Sequence, residues 1–158
     1  MSIRIELPEP QYIVGIQVRT SNAIEANPKT ARIPGVWKRF YEAGIEAKIP
    51  NKLPNAPVRA VYTDYESDMT GEYTMVVGCE ARNLEDVPQG MVGVTIPAAK
   101  YDVFPVNGPG SQGLQQTWRD VWSHFSVPAG SRRAYTADFE EYRPAVGGTE
   151  AAIYIAVE

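Results

Sequence analysis

At 158 residues, 44% hydrophobic and 22% charged, the chain has the size and composition of one globular domain, which excludes a disordered or fibrous protein. A net charge of −4 and 15 scattered Lys and Arg residues exclude the clustered basic face of a direct nucleic-acid reader. One histidine, His124, and one cysteine, Cys79, cannot build a zinc site of ordinary His and Cys ligands or an internal disulfide, and no metal or other cofactor is expected. Met1-Ser2-Ile3-Arg4-Ile5 lacks the charged-then-apolar order of a signal peptide, and no apolar run approaches membrane-spanning length. A cytoplasmic protein without membrane contact is therefore expected, with Cys79 a buried thiol in an apolar strand.

In chain order, the β-rich run 12–18 predicts a strand. Pro34 then opens a helix, as proline suits a first helical turn. Ile33, Val36, Trp37, Phe40 and Tyr41 share its apolar face, and Gly44 stops it. Strands over 58–65 and 72–80 follow. The second half repeats this order: a strand over 100–106, a loop at Asn107-Gly108-Pro109-Gly110, and a helix over 114–125. That helix has the apolar stripe Leu114, Trp118, Val121, Trp122 and Phe125. A turn at 128–130, a strand over 134–142, the Gly147-Gly148 turn and a strand over 151–157 complete the chain.

The correspondence extends to residues. Val36-Trp37-Lys38 matches Thr117-Trp118-Arg119, Asp64-Tyr65-Glu66 matches Asp138-Phe139-Glu140, and the run from Glu72 to Val77 matches that from Glu150 to Ile155. We therefore expect a single α+β domain over 1–158, with pseudo-repeats over about 10–80 and 99–158. Each repeat is a β-α-β-β unit. The two units build a mostly antiparallel curved sheet with two long helices on one face and a central ligand cleft between them. Trp37, Tyr41, Trp118 and Trp122 lie on the inward stripes.

In Asp138-Phe139-Glu140-Glu141-Tyr142, alternation puts Glu140 and Tyr142 on one face and Phe139 and Glu141 on the other. Alternation alone favours Phe139 in the core and Glu140 toward solvent. If Glu140 instead lies beneath the helices, its charge either takes up a proton or recruits a cation. A lipophilic cation supplies that partner, and each aromatic face adds about 0.5–2 kcal/mol of cation–π attraction.

At these residues the chain resembles the GyrI-like small-molecule-binding domains, the effector-binding halves of AraC-type and MerR-type multidrug regulators. The resemblance is carried by Ile96-Pro97-Ala98-Ala99-Lys100-Tyr101, the helix around Trp118 and Trp122, Phe139-Glu140-Glu141-Tyr142 and Ile153-Tyr154-Ile155-Ala156-Val157. Tyr62-Thr63-Asp64-Tyr65-Glu66 and the run 71–80 carry it in the first half. It implies that Glu140 points into the cleft and anchors lipophilic cationic small molecules. It also implies that Tyr154, Tyr142, Trp118, Trp37, Tyr41 and Tyr62 line that cleft.

With the first strand beginning about a dozen residues from Met1, no helix-turn-helix domain is expected ahead of it, and the chain looks similar to stand-alone integron cassette products. A partner regulator or a homodimer through the outer sheet face stays open. Two other activities in the family stay open as well. One is hydrolysis of reactive cyclopropane-containing compounds by the same glutamate, with Tyr142 or Tyr154 positioning the substrate. The other is a protein contact with DNA gyrase through Asp64, Glu66, Asp68 and Glu72.

Overall fold

A computed structural model describes residues 2–106, 110–127, 130–146 and 148–158. The loops expected at 107–109 and 128–129, and residue 147 of the expected glycine turn, lie outside these residues. The described elements are β1 (Ile3–Leu7), β2 (Gln11–Ser21), α1 (Asn22–Glu25), α2 (Ile33–Glu42), β3 (Val58–Thr63), β4 (Glu72–Ala81), β5 (Val92–Ile96), β6 (Ala99–Pro105), α3 (Gly110–His124), β7 (Ala137–Ala145) and β8 (Gly148–Val157). A 3-10 turn, Ile45–Lys48, follows α2.

All eight strands form one sheet in the order β1-β6-β8-β7-β3-β4-β2-β5, and every pairing is antiparallel. Outward from the central β7–β3 pair, β8 and then β6 lie on one side, β4 and then β2 on the other. Tyr62 pairs with Asp138 and Ala60 with Glu140 across that centre. β5 and β6 are near opposite ends of the sheet, yet only Pro97 and Ala98 separate them in sequence. So short a link is met only if the sheet curls until its two ends approach.

The curl creates two kinds of core. On the outer face, α2 packs Val36 and Phe40 onto Val14, Ile16, Met75 and Val77. On the same face α3 packs Val121 onto Phe104, Ile153 and Ile155, with Trp118 and Trp122 beside them. The inner face holds Ile13, Val61, Val76, Ile96, Tyr101, Phe139 and Ala156, joined by Ile5 and Leu7 of β1. The sheet face away from the helices therefore closes on itself as a second core.

Gly15 and Gly78 are register partners in β2 and β4. A Cβ on Gly15 would overlap the carbonyl oxygen of Val77, and one on Gly78 that of Val14. Both obstacles are backbone and cannot rotate away. Gly15→Ala is expected to destabilise the fold by about 3 kcal/mol or more, as an overpacked core position does. Urea denaturation checks this.

The helix that brings Trp37 to the site is fixed at both ends. Pro34 occupies its first turn and no side chain of its own N-cap, Arg32, bonds to it. Glu25 of α1 does so instead, accepting from the Arg32 N–H at 2.9 Å and the Ile33 N–H at 3.1 Å. A carboxylate there answers both the unpaired amides and the positive end of the helix dipole. Gly44, in the left-handed region at φ 60°, stops α2 as expected.

Candidate functional site

Glu140 sits at the centre of the sheet, paired with Ala60 of β3 on one side and Ile153 of β8 on the other. Ile153 belongs to the core under α3, so Glu140 shares the helix-covered face. It is 2% exposed. Tyr62 Oη and Trp118 Nε1 both donate to its Oε2 at 2.7 Å, and the Tyr142 hydroxyl donates to its Oε1. The three donors come from β3, α3 and β7, and each is a neutral group.

A hydrogen bond to a charged acceptor contributes about 1.5–3 kcal/mol. Burying a carboxylate costs several kcal/mol even after the surroundings relax. The balance holds the Glu140 carboxyl above its ordinary 4.5: burial raises it, and the bonds from Tyr142, Tyr62 and Trp118 offset this only in part. The same burial beside Glu140 lifts the hydroxyls of Tyr62 and Tyr142 far above the normal tyrosine range, so both remain donors.

Four carboxylates are buried among the described residues: Asp102, Asp138, Glu140 and Glu141. Arg4 holds Asp102 at 2.7 Å, Arg133 holds Asp138 at 2.7 Å, and Arg59 holds Glu141 at 2.9 Å with Arg143 at 2.6 Å. Among the described residues, Glu140 alone has no cationic side chain.

Aromatic rings wall this carboxylate. Trp118 meets Tyr62 edge-on at 5.3 Å, and Trp37 meets Tyr142 edge-on at 5.3 Å. The two pairs mirror one another, each joining a tryptophan of one helix to a tyrosine of a central strand. Trp118 and Trp37 are 81 positions apart, Tyr142 and Tyr62 80. Tyr73, absent from the expected set, backs Tyr62 at 5.5 Å.

Five of the seven residues expected in the cleft thus come together: Glu140, Tyr142, Trp118, Trp37 and Tyr62. Tyr154 does not. It pairs with Phe139 and stacks on it at 4.4 Å in the inner core, because its register on β8 is opposite in parity to Ile153. Tyr41 is peripheral. It is 65% exposed and lies against Trp37 at 6.0 Å.

The cleft is closed over Glu140 by these rings. Two surface cavities lie away from it. One, of about 370 Å³, is lined by Phe40, Tyr41, Gly44, Glu46, Ala47 and Lys52. The other, of about 490 Å³, is lined by Ser2, Arg4, Asp102, His124, Val127, Gly130 and Ser131. Among the described residues no cluster of His, Cys, Asp and Glu could hold a metal, and no helix is long and apolar enough to cross a membrane.

A curled antiparallel sheet with two helices over a buried, aromatic-walled carboxylate defines an effector-binding module. The chain belongs to the family of integron-associated effector-binding proteins, which it matches over residues 4–157. The integron cassette protein VCH_CASS2 from the mobile metagenome of Vibrio cholerae is similar at 33% identity and TM-score 0.81, over 99% of this chain and 95% of that one. The YobU protein of Bacillus subtilis, provisionally assigned by name to transcriptional regulation, is 30% identical over 129 residues, 81% of this chain and 78% of its own. The fold also recurs in SAV2435, solved bound to tetraphenylphosphonium, at 21% identity and TM-score 0.78 over 100% of this chain and 94% of that one.

Proposed function

We propose that this chain binds a lipophilic cation, with Glu140 as the charge partner and Trp37, Trp118, Tyr62 and Tyr142 as the rings that enclose that carboxylate. In this reading residues 1–158 act as one module, in which two β-α-β-β halves supply the aromatic walls and the second half alone supplies the charge. The observation that carries it is the contrast among buried carboxylates: three have an arginine, and Glu140 has neutral donors only. An apolar cation completes that set, and its own hydrophobic surface replaces water at the rings. The tetraphenylphosphonium bound to SAV2435, a protein of the same fold, is a cation of this chemistry.

The direct test is to titrate tetraphenylphosphonium and a neutral triarylphosphine oxide into the protein while following tryptophan fluorescence. Saturable quenching by the cation, with the neutral compound at least tenfold weaker, is the expected result. Equal affinity for the two would remove the carboxylate from the account.

Affinity should also depend on pH. The Glu140 carboxyl is raised above 4.5, so its ionised form is complete only above that raised value. Cation affinity is therefore expected to fall as pH drops through it, while affinity for the neutral compound stays level. Repeating both titrations between pH 4 and pH 8 checks the sign.

A further inference from the structure

We infer that the guest seats on the α2 side of Glu140, between Trp37 and Tyr142, and that Trp118 is a positioning residue that holds the carboxylate without meeting the guest. This rests on the cation-binding reading above. A carboxylate offers about four lone-pair sites, two on each oxygen. Tyr62 and Trp118 fill both sites of Oε2, and Tyr142 takes one site of Oε1. The remaining acceptor site is on Oε1, the oxygen on the Tyr142 side.

The two walls match in ring geometry and differ in bonding. On one side Trp118 lies edge-on to Tyr62 and its indole N–H is bonded to Glu140, so opening that wall breaks a charge-assisted hydrogen bond. On the other side Trp37 lies edge-on to Tyr142, and its indole makes no hydrogen bond with the carboxylate. Displacing Trp37 gives up ring packing alone. Behind it, Tyr41 stacks on Trp37 and is exposed, so a continuous aromatic surface runs from the outside to Oε1. The wall that moves without breaking a charge-assisted bond is the one beside the unfilled acceptor site.

Two variants separate these roles. Trp37→Leu keeps an apolar side chain and removes the aromatic face; Trp118→Phe keeps the ring and removes only the N–H. With tetraphenylphosphonium as the probe, Trp37→Leu is expected to weaken binding about tenfold at every pH, a loss of ~1.4 kcal/mol within the range of one cation–π face. Its pH midpoint should not move, and most of the fluorescence quenching should vanish. Trp118→Phe is expected to shift the midpoint upward, because a bond that stabilises the ionised carboxylate is gone. Its affinity well above that midpoint should fall by less than about threefold, against about tenfold for Trp37→Leu, and quenching should persist.

The opposite pattern would overturn the assignment: quenching abolished in Trp118→Phe with an unmoved midpoint, and parental affinity in Trp37→Leu. Absence of saturable binding to the parent protein would instead remove the cation reading itself, and this inference with it. Far-UV circular dichroism of both variants confirms that each is folded.

Discussion

Glu140→Gln is expected to weaken tetraphenylphosphonium binding by roughly 30-fold to 1,000-fold, the range for removing one member of a buried charge pair at about 2–4 kcal/mol. Affinity for a neutral triarylphosphine oxide should change by less than about threefold, a difference under roughly 0.7 kcal/mol. The substitution is close to isosteric, and the cage can accept it. The glutamine oxygen can receive from Trp118 and Tyr62, while its amide donates to a Tyr142 hydroxyl rotated to accept. What disappears is the charge alone, so the change in selectivity reads the electrostatic share of recognition. Parallel titrations of the two compounds against both proteins measure it.

The second large effect lies in stability, and it has opposite signs at two neighbouring carboxylates. Asp138→Asn is expected to cost about 3–5 kcal/mol, because it leaves Arg133 buried without its counter-ion. Both Asp138 oxygens already accept: Oδ1 from the Ala156 N–H at 2.8 Å, Oδ2 from Arg133 at 2.7 Å and from Tyr65. An amide group there faces a donor on either side. Glu140→Gln, by contrast, removes a desolvated charge that no internal cation offsets, and at pH 7 it should leave stability unchanged or raise it by about 1 kcal/mol.

Proton linkage sharpens the contrast. The Glu140 carboxyl is held above 4.5 in the fold, so between 4.5 and its raised value the native state binds more protons than the unfolded chain. Its contribution to stability therefore falls as pH rises through that window and stays lost above it. The stability difference between Glu140→Gln and the parent should grow in favour of the variant across the same window. Urea denaturation of the three proteins at several pH values reads all of these effects.

The helices were the most legible part of the chain. The stripe Leu114, Trp118, Trp122, Phe125 with Val121 is the set that packs as the α3 core, because one covered face leaves a clear 3.6-residue period. The strands carried less information. Two edge strands, β1 and β5, were not anticipated, although Ile3-Arg4-Ile5-Glu6-Leu7 and Val92-Gly93-Val94-Thr95-Ile96 both alternate. They precede the stretches 10–80 and 99–158 over which residues match, although in the sheet they take equivalent places at its two ends.

Glu140's orientation had a deeper ambiguity. The curl buries both faces of β7 and β8, so apolar alternation does not distinguish helix side from inner side. The resemblance decided for the helix side at Glu140 and Tyr142, where the register agrees. It misplaced Tyr154, whose parity on β8 runs with Ala156 rather than with Ile153 and Ile155.

The match of Asp64-Tyr65-Glu66 to Asp138-Phe139-Glu140 also slips. β3 ends at Thr63, Asp64 turns at φ 51°, and the residue paired with Glu140 is Ala60. Glu66 lies in the following turn and has no place in the cage. Two of the arginine partners of the other buried carboxylates were invisible for a related reason. Arg59 and Glu141 are 82 residues apart and Arg4 and Asp102 are 98 apart, and only the sheet order brings them together.

The central claim is that burial raises the Glu140 carboxyl above its ordinary range and that a bound cation lowers it again. It is tested most directly by calorimetric titration of tetraphenylphosphonium in two buffers of different ionisation enthalpy, at a pH near the cation-binding midpoint. The account predicts a fractional proton released for each cation bound, no release with the neutral triarylphosphine oxide, and none when Glu140→Gln binds the cation. Cation binding without proton release at that pH, or equal release from the Gln variant, would contradict it.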